Sequence, residues 1–308
     1  MTRFAILFAS AAALPLLASA HGGALHVAQQ QPPVQVTTTD LGDGIYMLQG
    51  RGGNLGVLDG EDGVFVIDSQ YDDMAFQNLY AIGEITNDVP HYLVNTHWHG
   101  DHVGGNAKFE DVGALIIAHD NVRERVSTDQ TMSIAGTERD VSASPVEAWP
   151  VITFDDDMTL HLNGQTVRLV HLPEAHTDGD TMIVFEDANV FHMGDVMFSG
   201  MFPFIDIGSG GSVEGYLAAL QKAYDMADET TKIIPGHGPL STREDIAMLR
   251  DMLADARDAV QAEIDAGKSL EQTLDARPLE PWVDDWASAF MTEPRFTTIL
   301  YSDLSQAD

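Results

Sequence analysis

The sequence predicts an α/β fold in which helices lie outside two packed sheets. Three observations point there. Strand-length apolar runs and segments of helical period alternate along the chain, and they do so in two successive halves. Asn163-Gly164 stands between two alternating runs, a strong signal for a type I′ hairpin. About 270 residues remain after the N-terminal segments, enough for one large domain with a substantial core.

The elements follow in order. Met1-Thr2-Arg3 carries one positive charge, Phe4 to Leu17 is apolar, and Ala18-Ser19-Ala20 offers an A-x-A cleavage site before His21. This is the pattern of a signal peptide over residues 1–20, and its apolar stretch is short for a membrane span. Residues 21–38, rich in Gln, Ala and Pro, read as a flexible lead-in. Strands are expected at Ile45–Gln49, Leu55–Leu58, Val64–Asp68, Tyr92–Thr96 and Ala114–His119. A second group is expected at Met158–Leu162, Thr166–His171, Thr181–Phe185, Asn189–Met193 and Lys232–Ile234. Helices fit Asp73–Ile85, Asn121–Thr128, Val213–Ala227 and Ile246–Ala266, the last opened by a capping box in Ser241-Thr242-Arg243-Glu244. The main domain is therefore placed at 39–268. Residues 269–308, with Trp282, Trp286, Phe290, Phe296 and Tyr301 at roughly helical spacing, read as a helical extension packed on it.

The chemistry concentrates in His97-Trp98-His99-Gly100-Asp101-His102. The apolar run before it is β-prone, and Gly100 with Gly104-Gly105 favours a tight bend, so this H-x-H-x-D-H run belongs at a strand end. Alternation lets His97 and His99 point one way while Asp101 and His102 face a second point. A metal needs three or four ligands, so the run predicts further ligands downstream. His176, Asp195 and His237 each follow a β-prone run and lie beside Gly or Pro. Singly, an Asp after Gly reads more readily as a helix cap and a His in a Pro/Gly loop as exposed. Together with the first run they fill two ligand sets.

In this order the motif resembles that of the metallo-β-lactamase superfamily, over about residues 40 to 265. The resemblance implies a four-layer αββα sandwich with metals at one open edge. It places His97, His99 and His176 on a first ion and Asp101, His102 and His237 on a second, with Asp195 bridging both. Asp68, at the end of Val64–Asp68, resembles the family's Asp that supports the ligands from behind. It implies two Zn2+ per chain, although the ligand types also suit iron or manganese. The implied reaction is attack of a metal-bound hydroxide on a carbonyl, with Asp101 orienting it and shuttling its proton.

The spacing from His97 to His176, and on to Asp195, resembles that of class B β-lactamases, which makes a β-lactam amide the leading expectation. Against it, the best-known subclass has Cys at the position of Asp195 and a clamping Lys three residues beyond. This chain has no Cys, and Phe198 stands at the Lys position. A bridging Asp is the habit of glyoxalase II and lactonase relatives, so hydrolysis of a lactone, ester or thioester is the alternative. A mononuclear iron dioxygenase is a minor one. Substrate contacts are expected from Trp98, Ser199, Met201 and Phe202.

Charge narrows the partners. Fifteen Lys and Arg against 48 Asp and Glu give a net charge of −33. A phosphate backbone would meet a repulsive field, so nucleic acid is not expected as a partner, nor is membrane insertion. A small-molecule substrate is, with the chain a monomer or homodimer. A leader on a Cys-free chain suits a bacterial periplasm.

Overall fold

Several strands are buried along their whole length, which marks sheets covered on both faces rather than open to water on one. The computed structural model describes residues 35–306. The expected leader at 1–20 and the lead-in up to residue 34 lie outside these. In chain order the first half contains β1 (Thr37–Gly42), β2 (Ile45–Gln49), β3 (Leu55–Leu58), β4 (Val64–Ile67), α1 (Ala75–Thr86) and β5 (Pro90–Val94). It continues with α2 (Gly100–Val103), α3 (Asn106–Asp111), β6 (Leu115–His119), α4 (Asp120–Ser127), β7 (Gln130–Ile134), β8 (Thr137–Val141) and β9 (Ile152–Phe154). The second half has β10 (Met158–Leu162), β11 (Gln165–His171), β12 (Thr181–Phe185), β13 (Val190–His192), α5 (Val213–Met226), β14 (Lys232–Ile234) and α6 (Arg243–Asp265). The C-terminal helices are α7 (Leu270–Ala276), α8 (Val283–Trp286) and α9 (Glu293–Leu304).

One sheet has the order β1-β2-β3-β4-β5-β6-β9, the other β10-β11-β12-β13-β14, and β7-β8 form a separate hairpin. Three apolar layers hold the sandwich together. Ile45, Phe65, Ile67 and Val94 of the first sheet meet Leu169, Ile183, Phe185 and Ile234 of the second. Val57, Val66 and Leu93 face the opposite way, against Ala75 and Ile82 of α1 and Phe109 of α3. Val170, Met182, Val184 and Phe191 pack under α5, α6 and α9. Each such side chain, fully buried, contributes roughly 1.5–3 kcal/mol. The architecture is the four-layer αββα sandwich.

Strand direction positions the site. β4, β5, β6 and β9 are parallel, as are β13 and β14, so their carboxyl ends collect along one edge. The N–H of Thr181 donates to the Thr96 carbonyl at 2.8 Å and ties the two sheets together there.

Several boundaries differ from expectation. The lead-in expected over 21–38 ends sooner: Thr37 and Thr38 already pair with Gln49 and Leu48. The capping box of α6 sits one residue later, with Thr242 and Asp245 as partners, because Ser241 is held by an antiparallel bridge to Ile233. The bend after His99 is the short helix α2. Asn163 and Gly164 both take positive φ, 53° and 74°, as a type I′ turn requires. Residues 269–306 form helices whose Phe296, Ile299 and Leu300 join the apolar layer beneath α5 and α6.

Candidate metal centre

Each candidate ligand follows directly from the end of a strand or from a strand-flanking loop. β5 ends at Val94 and delivers His97 and His99, and α2 turns Asp101 and His102 inward. His176 lies between β11 and β12, Asp195 in the single helical turn after β13, and His237 after β14. Two groups result: His97, His99, His176 and Asp195 form one, and Asp101, His102 and His237 the other.

The Asp195 carboxylate stands between them. Its Oδ2 faces His97 Nε2 at 3.8 Å and His176 Nε2 at 3.6 Å. Its Oδ1 faces His102 Nε2 at 3.0 Å and His237 Nε2 at 3.4 Å. Tyr216 of α5 donates its hydroxyl to the Asp195 carbonyl at 2.8 Å, which fixes this turn from behind.

Hydrogen bonds on the outer ring nitrogens set the tautomers. His176 Nδ1 donates to the Phe204 carbonyl at 2.7 Å, and His99 Nε2 to the Asp206 carboxylate at 2.9 Å. Thr96 Oγ1 donates to Asp68, so it accepts from His97 Nδ1 at 3.0 Å. His102 Nδ1 donates to Asp68 Oδ2 at 2.7 Å. In His97, His99 and His176 the inner nitrogen is left with a lone pair directed into the cluster, and Asp68 turns His102 Nε2 the same way. His176 Nε2 and His99 Nδ1 consequently face each other at 2.8 Å, both as acceptors. His97 Nε2, His102 Nε2 and Asp195 Oδ1 are buried without a hydrogen-bond partner. Converging buried lone pairs repel one another unless a cation lies among them, so the donor set fits metal ions.

The electrostatics agree. Burial, aided by neighbouring imidazoles, holds His97 well below its usual range and His176 at about 4, so both are neutral and ready to ligate. Burial opposes ionisation of Asp195, but His102 and His237 outweigh it and hold the carboxyl well below the usual range. Asp101 is held at about 2 because His102 and its hydrogen bond with His237 overcome burial.

Two glycines let backbone approach the ligands. A Cβ on Gly53 would lie 2.1 Å from His102 Cε1, and one on Gly236 would lie 2.1 Å from Asp195 Oδ1. The loop 50–54 is pinned to both flanks, with Gly53 N–H on the Asp101 carbonyl and Asn54 Nδ2 on the carbonyls of Pro235 and Gly238. The first group is deeply buried. Access is through the second, where the side chains of Asp101 and His237 are 20% and 24% exposed.

A family profile described as the metallo-beta-lactamase superfamily matches residues 48–237, which spans both groups. The chain belongs to the metallo-β-lactamase superfamily. It is therefore related to metallo-hydrolases. It is 29% identical over 162 residues to Beta-lactamase-like protein 2 homolog of Caenorhabditis elegans, covering 53% of this chain and 47% of that protein. It is 25% identical over 228 residues to Acyl-coenzyme A thioesterase MBLAC2 of Gallus gallus, covering 64% and 78%. With Hydroxyacylglutathione hydrolase of Pelagibacter ubique it shares 27% over 150 residues, covering 47% and 51%. The match thus spans about half the length of the nematode and bacterial relatives. Among solved structures, a metallo-beta-lactamase from Pontibacter korlensis superposes with TM-score 0.59 at 14% identity, over 72% of this chain and all of that one. The sec-alkylsulfatase Pisa1 from Pseudomonas sp. gives 0.65 at 14%, over 87% and 50%. These likenesses show the fold.

The structure brings all seven expected ligands and Asp68 together. It treats the expected substrate contacts differently. Phe202 does not line the site: it is fully buried and stacks on Phe296 of α9 at 4.7 Å. Trp98 is turned into a cluster with Val103, Ala118, Val122 and Val126 and packs against the His99 ring at 5.0 Å. Ser199 lies next to the His237 loop, its N–H on the His237 carbonyl. Met201 packs partly buried against the layer beneath α5. Two residues of the 198–211 loop matter more than expected. Asp206 orients His99, and Phe204 stacks on the His99 ring at 5.6 Å.

Proposed function

We propose that this chain is an exported dinuclear metallo-hydrolase that cleaves a carbonyl substrate, with a thioester or ester as its first substrate class. The observation that carries the dinuclear reading is Asp195, whose two oxygens face the two histidine groups. His97, His99 and His176 would hold one ion and Asp101, His102 and His237 the other, with Asp195 shared. Nitrogen and carboxylate donors at this number suit zinc, and also iron or manganese. Such ions, when bound, bring the pKa of water near 7 and polarise a carbonyl.

The protein's own groups do the rest. Asp68 holds His102 by its ring and His97 through Thr96, so both present fixed lone pairs. Asp101, ionised and partly exposed at the mouth, can accept a hydrogen bond from a water poised over the cluster. Phe198 stacks on His237 at 5.1 Å and Phe204 on His99, so apolar rings support the cluster from the 198–211 loop. Phe290, 46% exposed, meets Phe204 edge-on at 6.1 Å.

The thioester class is supported by an all-carboxylate and imidazole donor set with Asp195 at the shared position. The names of the avian thioesterase and bacterial glutathione-ester relatives support it too. Cleavage of a β-lactam amide is the second reading, favoured by the spacing from His97 to His176 and on to Asp195. Phe198, packed on His237 and unable to clamp a carboxylate, weighs against it. Export rests on the leader pattern of residues 1–20 and is tested by sequencing the N-terminus of the secreted chain. For the activity, the test is a survey with an aryl thioester, a lactone and a chromogenic cephalosporin, with and without chelator. The expected result is thioester turnover that chelator abolishes and added zinc restores. Absence of chelator-sensitive turnover on all three overturns the reading.

A further inference from the structure

We infer that Arg51 binds an anionic group of the substrate, a carboxylate or phosphate, at the open end of the metal cluster. This rests on the hydrolase reading above and specifies its substrate. The segments around that mouth are 50–54, 70–73, 98–102, 198–200 and 235–239, and Arg51 is the only Lys or Arg in them. That is notable in a chain with 15 basic and 48 acidic residues. Its position is tied to the ligands through the backbone. A Cβ on the next residue, Gly52, would lie 2.8 Å from the Asp101 carbonyl and 3.3 Å from the Tyr71 ring. Gly53, one residue further, donates its N–H to that same Asp101 carbonyl.

The guanidinium lies over the Tyr71 ring, 4.9 Å from its centroid, which holds it at the rim without removing its hydrogen-bonding edge. Its ionic partner is Asp73, and both side chains are largely exposed, 49% and 65%. Such a pair is worth little, so a substrate anion can take over the guanidinium fork at small cost. By contrast Arg125, partly buried, is bound at two points to Asp178 beside Trp98, so its hydrogen-bonding edge is already taken. The position three residues after Asp195 is Phe198, packed on a ligand ring. Recognition of an anion therefore falls to Arg51, on the loop between β2 and β3.

The test uses a matched pair that differs only in charge: S-acetyl-3-mercaptopropionate and its methyl ester. The ketone analogues in which CH2 replaces sulfur, 5-oxohexanoate and its methyl ester, serve as non-cleavable ligands. Zinc-loaded wild type should bind the ketone acid at least about ten-fold more tightly than its ester, in line with a charge-assisted pair. Arg51→Ala should lose that preference, Arg51→Lys should retain part of it, and added salt should weaken it in the wild type. Asp73→Asn, which frees the guanidinium, should keep or raise it. A wild type that binds the acid no better than the ester, or neither at all, overturns the inference. So does an acid preference that survives in Arg51→Ala, because the metals would then be its source. Turnover of the cleavable pair reports separately: no chelator-sensitive thiol release from either fails the hydrolase reading, whatever Arg51 does in binding.

Discussion

Removing Asp206 should cost the first metal group its affinity while sparing the fold. The carboxylate is fully buried and accepts three hydrogen bonds: from His99 Nε2 at 2.9 Å, Ser209 Oγ at 2.7 Å and Ser209 N at 3.2 Å. Among the described residues it is the only group that fixes the tautomer of His99, whose Nδ1 must keep its lone pair toward His176. In Asp206→Ala the ring is free to rotate or to carry its proton on the wrong nitrogen. Loss of such an orienting partner typically costs about 10–100-fold in metal affinity, or about 1.4–2.7 kcal/mol. Asp206→Asn should be no rescue, because one amide oxygen cannot serve three donors and its NH2 adds two more. The assay is competition for zinc against a chromophoric chelator, with thermal unfolding of the metal-free variants as a control. An Asp206→Ala chain that unfolds like wild type and holds the first zinc equally tightly would refute the reasoning.

Gly53→Ala places a methyl 2.1 Å from the His102 ring and should deplete the second metal while leaving the first, read as about one ion per chain by mass spectrometry. In the metal-free chain, burial pulls His102 and His237 down, but Asp195 foremost among the carboxylates reverses this, holding His237 at about 9 and His102 well above its usual value. Both folded values are raised, so the stability they contribute is complete below about pH 6.5 and fades as pH rises through about 9. Asp180, pushed up to about 8 by burial, adds in the same direction. The apo melting temperature should therefore fall from pH 6.5 to 9, while zinc binding strengthens over that window as the competing protons leave. An apo melting temperature that climbs across it contradicts this. Phe296→Ala removes the ring stacked on Phe202 and should destabilise the chain by about 3–5 kcal/mol in denaturant unfolding.

The candidate ligands are legible because spacing alone exposes them: four donors in six residues, then single donors after apolar runs. The groups that orient them were not. Asp206 sits among Phe, Ile and Gly in a loop with no ligand spacing, and only the fold brings it to His99, 107 residues earlier. The same blindness misplaced Phe202, since an aromatic after the shared carboxylate reads alike whether it faces the site or α9. The β7-β8 hairpin is not legible in the sequence because its turn is Ala135-Gly136, with Ala at φ 49°, where Asn or Asp is the usual signal. The short β9 pairs only three residues with β6, too few to show a period.

The most direct test of the central claim is the metal content of the purified chain beside that of Asp195→Ala. Wild type should carry two ions per chain, and loss of the carboxylate shared by both groups should remove at least one of them. A single iron per wild-type chain, or two ions retained without Asp195, would contradict the account.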